Sequence, residues 1–168
     1  VAQHLASLIV GNGYTGKALG TLTFNSLHSD QNTSVSFESV TSALNLREVY
    51  FITTGSTASA SEFVINALKP YINVVTAGST TFGKPVGENG FNICADVLYP
   101  ITFKIVNAAG SGDYFSGLPP TCPATDDLTH ALGDPDEASL AAALGHVATG
   151  SGGPNVAAAA AEHARREA

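Results

Sequence analysis

The sequence predicts a layered α/β domain, and the segment 48–78 carries most of that prediction. EVYFITT (48–54) and INVVTAG (72–78) are rich in β-branched residues and predict buried strands. ASEFVINAL (60–68) has helical periodicity and stops before Pro70. A strand, a turn, a helix and a second strand in this order are typical of α/β layers. With 168 residues, 44% hydrophobic and 12% charged, the chain is long and apolar enough for one folded domain.

The other segments give weaker predictions. We expect a short helix over 2–10 that ends at Gly11, a strand over 21–28 and no clear structure for 37–46. Residues 80–90 predict a glycine-rich loop, and 91–117 a β-ribbon that folds back near Gly110 or Gly112.

The C-terminal third predicts one more helix. Asp134, Pro135 and Glu137 fit the N-cap, N1 and N3 positions of a helix that runs to about residue 148. Asp126 and Asp127 look like another helix start. We therefore predict a domain over 1–150, followed by an alanine-rich tail or frayed helix over 151–168.

Composition excludes several classes of partner. The net charge is -7, whereas nucleic acids and anionic membrane surfaces bind clustered positive charge. No apolar run approaches the ~20 residues that span a bilayer, so no membrane insertion is expected. No metal-binding motif such as HExxH or CxxC is present. Because the chain starts at Val1 and has no Met, we interpret it as a piece of a longer precursor.

The two cysteines, Cys94 and Cys122, leave two interpretations open. They are either two small thiols or one disulfide. A disulfide would fit an extracytoplasmic compartment.

A serine-rich turn, GSTASASE (55–62), lies between a predicted buried strand and a predicted helix. Such a turn exposes a hydroxyl beside the free N–H groups of the first helical turn, which suits nucleophilic catalysis. Ser59 and Glu62 also fit the S-x-x-E capping box, and a serine in this position is more often only a helix cap.

The segment TTFGKPVGE (80–88) places Lys84 in a glycine-rich loop directly after a buried strand. A sheltered lysine amine loses its proton more easily than a solvated one, and the neutral amine can deprotonate a serine hydroxyl. The alternative is an ordinary solvated loop lysine.

Together the two segments resemble the paired signature of the C-terminal processing (tail-specific) serine peptidases. In that family the middle serine of an S-A-S-A-S-E-like run is the nucleophile, and the lysine of an F-G-K segment is the general base. These positions correspond to Ser59 and Lys84, which are 25 residues apart as in the family. Glu88 matches the family's Gln or Glu four residues after the lysine, which orients it. The run begins with Thr57 instead of serine.

The resemblance implies a crotonase-like or Clp-protease-like α/β fold, of which this chain supplies the later part. It implies a Ser-Lys dyad that hydrolyses polypeptides near their C-termini without a cofactor. We expect the protein to act in the periplasm or another extracytoplasmic space. The Ala60 N–H would be one oxyanion donor. The other comes in the family from a glycine loop in an N-terminal segment of the catalytic domain that is missing here, as is the PDZ module.

The resemblance is good over 48–90 and weaker over 2–10 and 111–122. An ionised Glu88 would favour the charged lysine, so Glu88 either mainly orients Lys84 or shifts the working pH upward.

Three rival functions remain. The chain could be a non-catalytic binding or scaffold module of the same fold group, or an inactive fragment. Nucleotide binding is a second rival, because GNGYTGKA (11–18) nearly matches a P-loop. However, Ala18 occupies the position of the Ser or Thr whose hydroxyl binds magnesium. A Ser-His-Asp triad would need one of five scattered histidines, none of which lies in a motif.

Overall fold

The computed structural model describes residues 1–150, which combine helices and strands and confirm the α/β prediction. Three helices are present in this range: α1 (Ala2–Val10), α2 (Ala60–Leu68) and α3 (Ala138–Thr149). The strands in chain order are β1 (Ala18–Thr23), β2 (Thr33–Ser36), β3 (Glu48–Thr53), β4 (Asn73–Gly78), β5 (Val86–Glu88), β6 (Phe91–Ile93), β7 (Asp96–Leu98), β8 (Ile101–Asn107) and β9 (Cys122–Pro123). The predicted tail, 151–168, lies outside the described residues.

The chain forms two units, of which the first contains Val1–Arg47, Ala58–Asn73 and Gly83–Phe115. Its main sheet has the order β2-β1-β8-β5, and every neighbouring pair is antiparallel. β6 and β7 form a separate two-stranded hairpin. α2 packs against β1 and β8, and α1 packs against α2. This unit holds all the candidate site residues.

Close approach of α2 to the sheet depends on a glycine in β1. A side chain at Gly20 would bring its Cβ within 2.8 Å of the Phe63 ring and 2.7 Å of the Val106 carbonyl oxygen. Buried Asn66 of α2 donates through Nδ2 to the Ser111 carbonyl at 2.8 Å, and Asn107 Nδ2 donates to the Asn66 carbonyl at 3.0 Å. These bonds hold the C-terminal half of α2 against the end of β8.

Among the described residues, the second unit contains Glu48–Thr57, Val74–Phe82 and residues 116–150. Its sheet has the order β3-β4-β9, with β9 parallel to β4, and α3 packs on β3 and β9. The core of this unit is built from small and medium side chains that the helix and sheet share: Val75, Ala77, Cys122, Ala142 and Ala143. The Phe82 N–H donates to the Thr57 carbonyl at 2.8 Å.

Several local predictions are confirmed with small shifts. α1 ends at Gly11 and α2 covers 60–68 as predicted, whereas the first strand covers 18–23 instead of 21–28. The P-loop-like segment contains a short 3-10 turn and is followed by β1. A phosphate-binding loop would be followed by a helix, so the structure does not support that interpretation.

The prediction for 80–90 and 91–117 is partly wrong. Val86–Glu88 is a strand paired with β8, although its sequence indicates a loop. The chain does turn near Gly110, where the Asn107 N–H donates to the Ser111 carbonyl at 2.8 Å, but residues 111–117 form no strand. The paired hairpin instead folds back at Cys94–Ala95, between β6 and β7. A glycine near a turn does not mark a hairpin unless the segment beyond it finds a strand partner.

The predicted helix starts near the C-terminal third also need correction. α3 begins at Ala138, and Glu137 is its N-cap, accepting hydrogen bonds from Ser139 N–H at 2.9 Å and Leu140 N–H at 2.8 Å. Asp134 instead closes a turn just before it. No helix starts at Asp127, whose carboxylate accepts hydrogen bonds from Thr129, which lower its pKa to about 2.

Both cysteines are free thiols in the structure, with Cys94 exposed at the hairpin turn and Cys122 buried. Burial raises the pKa of Cys122.

Among the helices of residues 1–150, none has the length and apolar character needed to cross a bilayer.

Candidate active site

Ser59 lies in a strained turn at the start of α2. Its backbone has φ +54° and ψ −113°, a region that residues with a Cβ rarely occupy. Such strain costs about 1–3 kcal/mol and is concentrated at functional sites in folded proteins. The residue is half-buried and follows β3 after five residues of turn. A serine in a strained conformation at the first turn of a helix is a feature of nucleophile elbows.

The first turn of α2 supplies hydrogen-bond donors next to Ser59. Ala60 is the first residue of the helix and is exposed, so its N–H has no intrahelical acceptor. A backbone N–H in this position can stabilise the negative oxygen of a tetrahedral intermediate.

Glu62 connects the serine turn with the lysine loop. Its side chain is completely buried in the first turn of α2. Oε2 accepts hydrogen bonds from the Ser59 N–H at 2.9 Å and the Lys84 N–H at 2.8 Å, and Oε1 accepts one from the Gly83 N–H at 2.7 Å. Since two donors share Oε2, the Ser59 and Lys84 nitrogens are no farther apart than the sum of those two distances.

The predicted capping box is therefore present, but it is only part of what Glu62 does. The Glu62 carboxylate accepts a hydrogen bond from the N–H of Ser59, the N-cap residue. The Ser59 side chain faces the backbone N–H of Glu62, which is the other contact of a capping box, but does not form a regular side-chain cap hydrogen bond. The bonds to Gly83 and Lys84 come from a loop 21 and 22 residues farther along the chain.

Lys84 pairs with Glu88, as the spacing of the two residues predicts. Lys84 Nζ donates to Glu88 Oε1 at 3.2 Å, and each side chain is 37% exposed. The loop therefore shelters the lysine less than the sequence suggests. The Lys84–Glu88 pair lies at the edge of the sheet, because β5, which carries Glu88, is an edge strand.

Tyr114 is a buried residue close enough to Glu62 to be affected by its charge. Its side chain is buried, and its hydroxyl has no hydrogen-bond partner in residues 1–150. Burial and the negative charge of Glu62 raise the pKa of Tyr114 to about 12. The tyrosine is therefore neutral throughout the range in which proteins are stable.

Tyr114→Phe is expected to leave the free energy of unfolding unchanged or to raise it by up to about 1 kcal/mol. The substitution removes a buried hydroxyl that makes no hydrogen bond, so it removes a desolvation penalty. Urea unfolding followed by circular dichroism measures this change. A loss of more than about 1 kcal/mol would show that the hydroxyl is hydrogen-bonded in solution, and would contradict the prediction.

The structure brings Ser59, Ala60, Lys84 and Glu88 into one unit, in the order that the motif indicates. The bonds of Glu62 to the lysine loop could not be predicted from the sequence. The S-x-x-E pattern drew attention to this residue, but only as a helix cap. Within residues 1–150, no three His, Cys, Asp or Glu side chains are grouped in a way that would hold a metal ion.

A nucleophile-type serine turn tethered to a lysine loop is typical of a peptidase, and comparison with known proteins gives the same class. Residues 5–121 match the model of Peptidase family S41, which is well over half of the chain. The chain belongs to Peptidase family S41. The resemblance to C-terminal processing peptidases is thus confirmed at the level of the family.

Solved structures agree with this assignment. A crystal structure provisionally described as an S41 protease from Bacteroides fragilis NCTC 9343 is 29% identical, with a TM-score of 0.77, covering 89% of this chain and 41% of that one. The photosystem II D1 C-terminal processing protease is 23% identical with a TM-score of 0.54, covering 73% of this chain and 30% of that one.

A lipoprotein from Streptococcus agalactiae is 18% identical with a TM-score of 0.50, covering 66% of this chain and 40% of that one. The last two similarities show the fold alone. The chain thus spans about two fifths or less of the length of these three proteins. No curated protein sequence matches the chain significantly.

Proposed function

We propose that this protein is a serine endopeptidase in which Ser59 is the nucleophile and Lys84 is the general base. The observation that carries the proposal is the strained backbone of Ser59 at the start of α2, with the Lys84 backbone hydrogen-bonded to the same carboxylate oxygen. Membership of Peptidase family S41 supports peptide hydrolysis as the reaction. The substrate is a polypeptide, cleaved near its C-terminus, as the name of the D1 processing protease suggests for a protein of this fold.

The reaction follows from the roles of these side chains. The neutral Lys84 amine takes the proton of the Ser59 hydroxyl as Oγ attacks the carbonyl carbon of the scissile bond. The Ala60 N–H stabilises the resulting oxyanion. As the C–N bond breaks, Lys84 returns the proton to the leaving amine, and an acyl ester of Ser59 remains. A water molecule, deprotonated by Lys84, then hydrolyses the ester and restores the serine.

Glu88 has an orienting role in this scheme. Its bond to Lys84 Nζ limits the rotamers of a long, flexible side chain. An oxyanion hole usually has two donors, and loss of one costs about 10²–10³ in rate. We propose that the second donor comes from an N-terminal segment of the catalytic domain, because the chain covers only 41% of the similar S41 structure.

A serine-reactive fluorophosphonate probe tests the proposal directly. The probe should form a covalent adduct on Ser59, located by mass spectrometry of the digested protein, because an activated serine is far more nucleophilic than an ordinary hydroxyl. Ser59→Ala should abolish the adduct. Ser61→Ala is the matched control, since Ser61 is an exposed serine in the same helical turn and should leave labelling unchanged.

Labelling that persists at the wild-type level in Ser59→Ala, or an adduct on another serine, would overturn the assignment of the nucleophile. No labelling at all would favour a non-catalytic binding module. One observation favours that second candidate: the β6–β7 hairpin and the residues after it expose six large apolar side chains, Phe91, Ile93, Val97, Leu98, Tyr99 and Ile101.

We further propose that the protein acts outside the cytoplasm. Similar structures include a lipoprotein and a protease named for processing a photosystem II protein, and both names are compatible with an extracytoplasmic place of action. Fractionation of cells of the natural host, with antibody detection of the protein, would test this location. Recovery with the cytoplasmic fraction alone would contradict it.

A further inference from the structure

Glu62 makes more hydrogen bonds than a helix cap requires. An N-cap needs one acceptor for the N–H groups at the start of the helix, and partly exposed side chains supply it in most helices. Glu62 caps Ser59 and also accepts from Gly83 and Lys84. Three backbone N–H groups from two separate segments therefore converge on the two oxygens of one carboxyl group.

We propose that Glu62 is a positioning residue that sets the place of the nucleophile relative to the base. This inference depends on the proposed function, because it concerns the same Ser59–Lys84 pair. The three residues belong to one unit of the fold, and one carboxylate oxygen contacts the backbone of both partners.

Burial of the carboxylate supports a role beyond capping. The Glu62 side chain has no exposed surface, and an ionised group is buried only at a large desolvation cost unless strong hydrogen bonds offset it. Glu137, the N-cap of α3, is an example of a glutamate that only caps a helix. It also caps a helix, with two N–H bonds of 2.9 and 2.8 Å, but both donors lie in its own helix.

Backbone strain at Ser59 supports the same role. A serine with φ +54° relaxes toward a common conformation unless neighbouring contacts oppose the change. The hydrogen bond from the Ser59 N–H to the Glu62 carboxylate opposes this change. The bond from the Lys84 N–H to the same oxygen prevents the carboxylate from moving together with Ser59. A misplacement of about 1 Å between reacting groups lowers rates by on the order of 10²-fold.

Glu62→Gln is the sharpest variant, because glutamine has the same size but only one acceptor oxygen. In either orientation of the amide, its NH₂ group faces backbone N–H donors, either that of Gly83 or those of Ser59 and Lys84, and cannot accept their hydrogen bonds. We expect the rate of fluorophosphonate labelling of Ser59, and kcat for peptide hydrolysis, to fall by about 10²-fold. KM should change little, because no substrate contact is removed.

Glu137→Gln is the matched control, since it alters a glutamate that only caps a helix. It should lower thermal stability while the folded protein keeps the wild-type labelling rate. Both variants are compared at a temperature at which circular dichroism shows each to be fully folded. A Glu62→Gln protein that is folded and labelled within about twofold of wild type would overturn the inference.

Hydrogen exchange in the unmodified protein keeps the proposal falsifiable if Glu62→Gln does not fold. Gly83 and Lys84 amides donate to a buried carboxylate, so they should exchange at least about 100-fold more slowly than unprotected amides. Unprotected exchange at both positions would overturn the inference.

These outcomes are separate from failure of the proposed function. If Ser59→Ala retains labelling, the assignment of Ser59 as nucleophile is wrong whatever Glu62 does. If Ser59→Ala abolishes labelling and Glu62→Gln leaves it unchanged, only the positioning role is wrong.

Discussion

Lys84→Ala is expected to lower kcat/KM for peptide hydrolysis by about 10²–10⁴-fold, the usual contribution of a general base. The substitution removes the amine but keeps the backbone N–H that donates to Glu62, so the loop and Ser59 should stay in place. Steady-state kinetics with a fluorogenic peptide, on the full-length natural protein, measures the loss.

Lys104→Ala is the matched control for this experiment. Lys104 is also a lysine paired with a carboxylate, at 2.8 Å from Asp113, and is 35% exposed compared with 37% for Lys84. Its removal takes away a surface ion pair worth about 0–1 kcal/mol and should leave hydrolysis unchanged. If the Lys84→Ala protein kept more than about a tenth of the wild-type kcat/KM, Lys84 would not be the base.

Gly78→Ala is expected to lower the free energy of unfolding by about 3–5 kcal/mol. Gly78 ends β4 with φ +120°, and a Cβ there would lie 2.1 Å from the Thr53 carbonyl oxygen. That oxygen cannot move freely, because it accepts the Ser79 N–H at 2.8 Å while Thr53 Oγ1 donates to the Ser79 carbonyl at 2.8 Å. Urea unfolding measures the difference.

Gly133→Ala separates the two causes of that loss. Gly133 has φ +87° in the same unit, but no atom lies within 4 Å of its added Cβ. It should therefore cost only the backbone strain, about 1–2 kcal/mol. If Gly78→Ala is no more destabilising than Gly133→Ala, the close approach of Gly78 to Thr53 is not present in solution.

Elements with a strong local pattern could be predicted from the sequence. α2 and the strands on either side of it follow from apolar periodicity and from Pro70 after the helix. Such signals are properties of a short window of residues, so they survive without knowledge of the rest of the fold.

β5 and the start of α3 could not be predicted in the same way. VGE (86–88) is a strand because β8 supplies its hydrogen-bond partners, and nothing local to the segment contains that information. The local pattern predicts Asp134 as the N-cap and Glu137 at N3, whereas in the structure Glu137 is the N-cap and accepts the hydrogen bonds of the first helical turn.

The sequence by itself determined the fold class and the order and spacing of Ser59, Lys84 and Glu88, since motif residues and their separations are written in the chain. Only the tertiary structure decided that Glu62 reaches both the serine turn and the lysine loop, and that the Lys84 side chain is partly exposed. The physical reason is that a side chain's hydrogen-bond partners depend on which distant backbone groups are folded against it. Capping is a local interaction, whereas a bond across 22 residues is not.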